Sequence, residues 1–405
     1  KELHLHPMPL LKKYFGPSTL VAAAFIGPGT LTVCTLAGNS YGYSLLWVLA
    51  IAILGTVVLQ EMAARIGLIT QNGLGEAINS QIQNSFVKIG SSVLIFVAII
   101  FGNAAYEAGN IAGAVLGFQG IFGSSVIWPI LIGFISFLVL FIGKFKWIER
   151  VLVALVLLMS FVFVVTAVMI EPDYSQVITG LLVPKINDDN LLMVLALIGT
   201  TVVPYNLFLH ASSVSQKWKS STQLKDLKIE TTVAILLGGL ISMAIVITSA
   251  GLGGDGVSNV KDMALQLKPL LGTWATYFLA IGLFSAGISS AITAPLAAAY
   301  AAKGIFNWRG DMQSLKFRLV WIFVLLIGVI FSLTEYKPIE IIKVAQVANA
   351  VLLPVIVIFL VLISNRKNLL GEYVNTTWQN VISITIILFS LLLSFRSFNS
   401  LFQLL

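Results

Sequence analysis

The sequence predicts an all-α integral membrane protein, and three observations carry that prediction. Of 405 residues, 58% are hydrophobic and 10% are charged, well below the roughly 25% charged fraction that builds a water-facing surface. Apolar runs of about 20 residues, long enough to cross a ~30 Å hydrocarbon core, recur along the chain. Two of these runs carry matched proline breaks, at Pro28 and Pro204, and they stand five helices apart, the sign of an inverted repeat.

The spans fall at roughly 17–41, 44–68, 89–117, 124–143, 147–170, 189–213, 229–251, 270–301, 318–334, 338–364 and 377–400, about eleven helices. Residues 1–16 precede them; "KELHLHPMPLLKK" has no cleavable signal pattern and is expected to be a cytoplasmic tail. His4 and His6 read as tail residues rather than metal ligands. Residues 17–170 form the first five-helix repeat, 189–364 the second, and 377–400 an additional helix. With Cys34 as the lone cysteine an intrachain disulfide is excluded, and Cys34 reads as a small packing residue.

The net charge of +7 is explained by topology. Lys12 and Lys13, then Lys88, then Lys144, Lys146 and Arg150, then Lys217, Lys219, Lys225 and Lys228 fall on one side. Lys303, Arg309 and Lys316, then Arg366 and Lys367, continue the series. The opposite loops hold Lys185, Lys261, Lys268, Lys337 and Lys343 beside acids such as Glu171, Asp173, Asp188 and Asp189. This positive-inside bias puts the N-terminus in the cytoplasm of a plasma (inner) membrane. The lipid bilayer is the partner it implies, and a nucleic acid is not.

The first broken segment is "AAAFIGPGTLTV" (Ala22–Val33) and the second "LALIGTTVVPYNLFLHASS" (Leu195–Ser213). Proline frees backbone carbonyls and glycine lets a helix unwind. Bare backbone at that depth is tolerated only where it is buried in protein or lines a cavity. One such proline alone reads equally as a kink. Two at matched places in opposed halves predict a substrate site where the breaks meet.

Longer stretches then carry a resemblance. "GPSTLVAAAFIGPGTLTVCTLAGNSYGYSLLWVL", "LQEMAARIGLITQNGLGEAI", "VVPYNLFLHASSV", "GLFSAGISSAITAPLAA" and "AQVANAVLLP" resemble, in order and over nearly the whole chain, the NRAMP metal-ion transporters. The resemblance implies a LeuT-type fold and an alternating-access carrier; typical members symport divalent metal and protons into the cytoplasm. In typical members the first break reads Asp-Pro-Gly-Asn and the second Met-Pro-His-Asn. Here they read Gly27-Pro28-Gly29-Thr30 and Val203-Pro204-Tyr205-Asn206, so the family's carboxylate, thioether and imidazole are replaced while both prolines and one Asn stay.

The substrate-binding set is therefore expected to be Gly27, Thr30, Thr200, Tyr205 and Asn206, joined by Gln346 and Asn349, which match a polar pair of the family's tenth helix. All are neutral, and a dication held by neutral oxygens alone in low dielectric keeps its charge uncompensated. The half-helices after Pro28 and Pro204 point positive dipole ends at the site. The expected cargo is accordingly a small anion (bicarbonate or a carboxylate) or a polar organic solute such as an amino acid. The alternative is a symporter of Mg²⁺, Mn²⁺ or Fe²⁺ with an altered site, a partly hydrated Mg²⁺ making the fewest demands on direct ligands.

For coupling, Glu107 in "GNAAYEAGNIAGAV" reads as the carboxylate clearly inside a span; it matches the first acid of a family motif whose second acid is Asn110 here. Intramembrane acids are costly and often relay protons. His210, Glu230 and Arg318 occupy places where the family keeps a histidine, an acid and an arginine, so the four residues are expected to couple protons. Packing or dipole complementarity remains the alternative for Glu107 and His210. Ser289 and Ser290 offer a weaker Na⁺ reading against helix packing. No HExxH, GxSxG or paired intramembrane aspartates occur, so an intramembrane enzyme is not expected and no cofactor is implied. A channel would suit paired broken helices less well than a carrier.

Overall fold

A computed structural model of the chain describes residues 26–82, 84–143, 146–252, 256–308, 310 and 312–403. The expected tail with His4, His6, Lys12 and Lys13, the first half of the first span, Lys144 and Arg309 lie outside the described residues.

The described residues form helices joined by turns, with no strand among them. In chain order the helices are α1 (Pro28–Tyr41), α2 (Leu46–Thr70), the short α3 (Leu74–Gln81), α4 (Ser85–Phe122), α5 (Ile127–Ile142) and α6 (Lys146–Met169). After α7 (Tyr174–Leu182) come α8 (Leu191–Thr201), α9 (Pro204–Lys217), α10 (Leu224–Ala250), α11 (Val260–Ala264), α12 (Lys268–Leu271), α13 (Ala275–Ile305), α14 (Leu315–Ser332) and α15 (Pro338–Ser364). The last two helices are α16 (Lys367–Leu370) and α17 (Thr377–Gln403).

Among the described residues nine helical segments are long and apolar enough to cross a membrane, α8 and α9 together making one of them. The shorter α5, of 16 residues, and α1 account for the remaining expected spans. The third span runs longer than its apolar run. At 38 residues α4 is about 57 Å long against a ~30 Å core, because Asn84 caps it early by accepting from the Phe86 and Val87 N–H groups (3.0 and 3.2 Å).

The second break is an interruption between α8 and α9, and both α1 and α9 begin with proline as the first helical residue, where its missing N–H costs nothing. α4 lies at the centre, against α13, α14 and α15, while α1 packs on α10 and α9 on α2. Two glycines set how close the broken segments come to their neighbours. A Cβ built on Gly113 of α4 would stand 2.1 Å from Pro28 Cβ, and one on Gly199 of α8 would stand 1.7 Å from the Gln346 carbonyl oxygen of α15. Small residues at these crossings let backbone meet backbone, the main source of close helix packing in lipid.

Glu107 is not the sole carboxylate inside a span, which corrects the sequence reading. Glu61 lies within α2 at 8% exposure. Its carboxylate pairs with Arg65 (3.4 Å) and Lys228 (3.1 Å) and accepts from the Gln379 amide (2.6 Å). Arg65 donates to the Tyr373 and Val374 carbonyls and to Asn375 Oδ1 (2.8, 3.0 and 2.6 Å). These bonds pin α2 to α10 and α17. Cys34 is buried and unbridged.

Gly113→Leu is expected to force α4 away from the first break and to destabilise the fold by about 1–3 kcal/mol, as overpacking does. Earlier loss of the monodisperse peak on heating in detergent, relative to wild type, checks this.

Candidate functional site

Pro204 has no N–H, so the carbonyl of Thr200, four residues back, receives no helical donor. The neighbouring groups are spoken for: the Val202 N–H reaches the Ile198 carbonyl (2.7 Å), and the Thr56 hydroxyl donates to the Thr201 carbonyl (3.3 Å). Thr200 thus brings both a carbonyl without helical partner and a hydroxyl to the second break. That hydroxyl meets the Thr30 hydroxyl of the first break at 2.9 Å, a buried contact across 170 residues of sequence. It is the direct link between the two interruptions.

The third wall is α15. Gln346 lies against the backbone of Gly29, where a Cβ would stand 2.4 Å from Gln346 Nε2. Any side chain at position 29 would evict the amide. Asn349, almost one turn further along α15, faces α4, its Oδ1 3.9 Å from a Cβ built on Gly102. On α9, Tyr205 stacks edge to face on Tyr106 of α4, ring centroids 5.3 Å apart. Asn206 follows in the same turn, its backbone N–H on the Val203 carbonyl (3.1 Å). Gly27 caps α1 in an extended conformation and accepts from the Leu31 N–H (3.2 Å).

Thr30, Thr200, Tyr205, Asn206, Gln346 and Asn349 are all buried. Several of their polar atoms have no hydrogen-bond partner among the described residues: both side-chain atoms of Asn206, Gln346 Oε1 and Asn349 Nδ2. A buried polar atom left unpaired costs about 1–3 kcal/mol, and a cluster of them where the breaks meet has the character of a binding site. The oxygens among them, with the Thr200 carbonyl, make a set of hard donors. No group of three or more His, Cys, Asp or Glu residues able to hold a metal occurs among the described residues.

The expected coupling residues are not gathered at one place. Glu107 is fully buried and turned toward α14, where its Cγ lies 2.5 Å from a Cβ built on Gly328. Its Oε2 accepts from the Asn110 amide at 3.2 Å. His210 Nδ1 lies 2.9 Å from Gln60 Oε1 of α2, a partner the sequence did not suggest. Glu230 is buried on α10. Arg318 stands at the start of α14 over the Phe141 ring (4.6 Å) and bonds Gln313. It is ten residues, about 15 Å of helix, from the Gly328 that touches Glu107. Ser289 and Ser290 lie on α13.

With that geometry in view, comparison with known proteins is decisive. The family described as natural resistance-associated macrophage protein-like (Nramp) matches residues 18–400. The chain belongs to the Nramp family. A divalent metal cation transporter, MntH, of Nostoc sp. is 30% identical over 384 residues, 90% of this chain and 86% of that relative. Its counterpart in Listeria monocytogenes serotype 4a is 27% identical over 396 residues, 93% and 87% of the two chains. The crystal structure of an Eremococcus coleocola manganese transporter mutant superposes with a TM-score of 0.77 at 22% identity, over 99% of this chain and 88% of that one. MhsT in complex with L-phenylalanine superposes with a TM-score of 0.62 at 15% identity, over 95% and 98%. The fold is LeuT-type, as the family resemblance implied.

These findings overturn the expected cargo. A small anion or polar organic solute is contradicted by relatives that share nine-tenths of the chain and are divalent metal cation transporters. The physical source of the error is the weight placed on side-chain charge and helix N-termini. The amide oxygens were weighed only as uncharged groups, and the Thr200 carbonyl left without a helical donor by Pro204 was not counted. Sequence reasoning also passed over Gln60, Tyr106 and the Glu61–Arg65 pair. The pair, an acid and a base four residues apart within an apolar run, could have been found by its helical spacing.

Thr200→Val keeps the volume of the side chain and removes the hydroxyl that joins the breaks. Loss of one hydrogen bond worth about 1 kcal/mol is expected to weaken cargo binding about fivefold with helicity unchanged. Titration of the purified variant beside wild type, with circular dichroism as the folding control, checks it.

Proposed function

We propose that this chain is a secondary active carrier of divalent metal cations, working by alternating access and coupled to protons, with a metal site altered from that of typical relatives. The observation that carries the reading is the cluster of buried oxygens at the meeting of the two breaks, Asn206 Oδ1 and Gln346 Oε1 without partners and the Thr30–Thr200 hydroxyl pair beside them. The likeness to divalent metal cation transporters over nine-tenths of the chain supports the cargo class. The positive-inside pattern supports a cytoplasmic N-terminus in a plasma (inner) membrane.

The donor set decides which ions suit the site. With Gly27, Val203 and Tyr205 at the breaks, neither carboxylate nor thioether nor imidazole comes from those positions. Hard cations accept oxygen ligands, and Mg²⁺ in particular keeps several waters in its sites. A hydrated or partly hydrated ion meets the amide and hydroxyl oxygens without demanding an anionic ligand. The C-terminal end of α8, carrying roughly half a negative charge, faces the ion and offsets part of the two helix N-termini. The same set disfavours softer ions, which gain most from sulfur and imidazole.

Calorimetric titration of the purified protein with Mn²⁺ and with Mg²⁺ tests this. Saturable binding is expected, and Asn206→Ala should weaken it by about 1.5–3 kcal/mol, the worth of a bond to a charged group, or about ten- to a hundredfold. Silence with both ions from folded protein, or an affinity untouched by Asn206→Ala, contradicts the proposal.

Coupling is assigned to Glu107, with His210 and Glu230 on separate paths. Glu107 is buried and follows Tyr106 in α4, whose ring meets Tyr205 at the second break, so α4 carries both the acid and a residue at the site. In liposomes Glu107→Gln is expected to keep metal binding and lose the dependence of uptake on an imposed pH gradient. A variant that retains both the rate and its pH dependence removes Glu107 from the mechanism.

A further inference from the structure

A groove of about 300 Å³ opens between α2, α8 and α17, away from the polar site. Its walls include Trp47, Ala52, Ile198, Val202, Ile386 and Phe389. The Thr385 hydroxyl at its edge is spent on the Val381 carbonyl (2.9 Å). Along α2 the lining runs from Trp47 to Gly55, about 12 Å of helix, close to the depth of one leaflet of a ~30 Å hydrocarbon core. A groove of this composition at this depth is solvated by hydrocarbon, not water.

The two ends of the groove differ. At one end Pro184 and Ile186 line it, and two residues on, Asp188 holds Arg396 of α17 at 2.5 Å. The Arg396 Nε and Nη2 both use the single Asp188 oxygen Oδ1. A guanidinium has five N–H donors in a planar fork, so three remain, and the side chain is 49% exposed. A planar fork of that kind matches phosphate oxygens. At the other end the wall is Ile198 and Val202; Val202 is the residue on which α8 stops at the second break.

We propose that the groove between α2, α8 and α17 is a phospholipid site: one acyl chain fills it, the phosphate sits on Arg396, and the chain end rests against Val202. Tryptophan at the polar end of such a groove lies at the depth where its amphipathic ring is favoured. The bound chain supports the apolar side of the second break, opposite the polar side that faces the cargo, so lipid and cargo act on the same interruption. The site is independent of the identity of the cation, and its failure would leave the metal reading untouched.

Native mass spectrometry of the delipidated full chain, titrated with palmitoyl-oleoyl phosphatidylglycerol, tests the proposal. A single-lipid adduct that survives activation is expected for wild type. Ala52→Phe fills the groove and should reduce the adduct about tenfold or more, the loss of roughly 1.4 kcal/mol of apolar contact. Ile51→Trp starts from a residue 49% exposed and should do the same where Ala52→Phe disturbs folding. Arg396→Gln should reduce the adduct for phosphatidylglycerol by removing the phosphate partner. Absence of an adduct on wild type, or an undiminished adduct on either groove-filling variant that keeps wild-type helicity, overturns the proposal.

Discussion

The rest of the structure depends on one constraint: backbone that is not helical must be buried in protein when it lies inside a membrane. Residues 202–203 leave the helix between α8 and α9, and Gly27 is extended backbone at the start of α1. In hydrocarbon each unpaired carbonyl or N–H costs several kcal/mol. The surrounding helices are arranged to remove that cost. Gly113 lets α4 seat directly on Pro28, Gly199 lets α15 lie against α8, and Gln346 covers the backbone of Gly29. The Thr30–Thr200 contact then closes the space between the two halves. The proposed cargo site rests on the same feature, because the groups that shield the breaks are polar and some of their atoms stay unpaired.

In the proposed metal site, the chemistry turns on geometry more than on formal charge. A carboxylate at a metal site supplies charge at one point. Amide oxygens, hydroxyls and a carbonyl freed by proline supply partial charge from several directions, and an ion that keeps water needs less from each. The helix N-termini at Pro28 and Pro204 favour anions when taken alone. They act beside the C-terminal end of α8, which carries the opposite sign. Summing only the side chains and two of the helix ends gave the wrong cargo class.

Much of the fold was legible because hydropathy and proline placement are one-dimensional signals. Spans of about 20 apolar residues must be helices in lipid, and Pro28 and Pro204 mark their own interruptions. The polar set Thr30, Thr200, Asn206 and Gln346 was likewise legible, through the resemblance and its position at the breaks. Orientation was not. The face of α4 that Glu107 presents is decided by which helix meets it, and the small residue Gly328 that accepts it lies more than 200 positions away. The start of α14, with Arg318 over Phe141, depends on a packing contact that no spacing rule encodes. Gln60 as the partner of His210 is of the same kind: a polar residue inside an apolar run, ordinary until the crossing of α2 and α9 is known.

The most direct measurement is the anomalous scattering of Mn²⁺ in crystals of the protein grown at saturating metal. The account predicts a peak between the two breaks, in direct or single-water contact with Asn206 Oδ1, Gln346 Oε1 and the Thr200 carbonyl. A strong peak elsewhere in the membrane-spanning region, with none between the breaks, would contradict it.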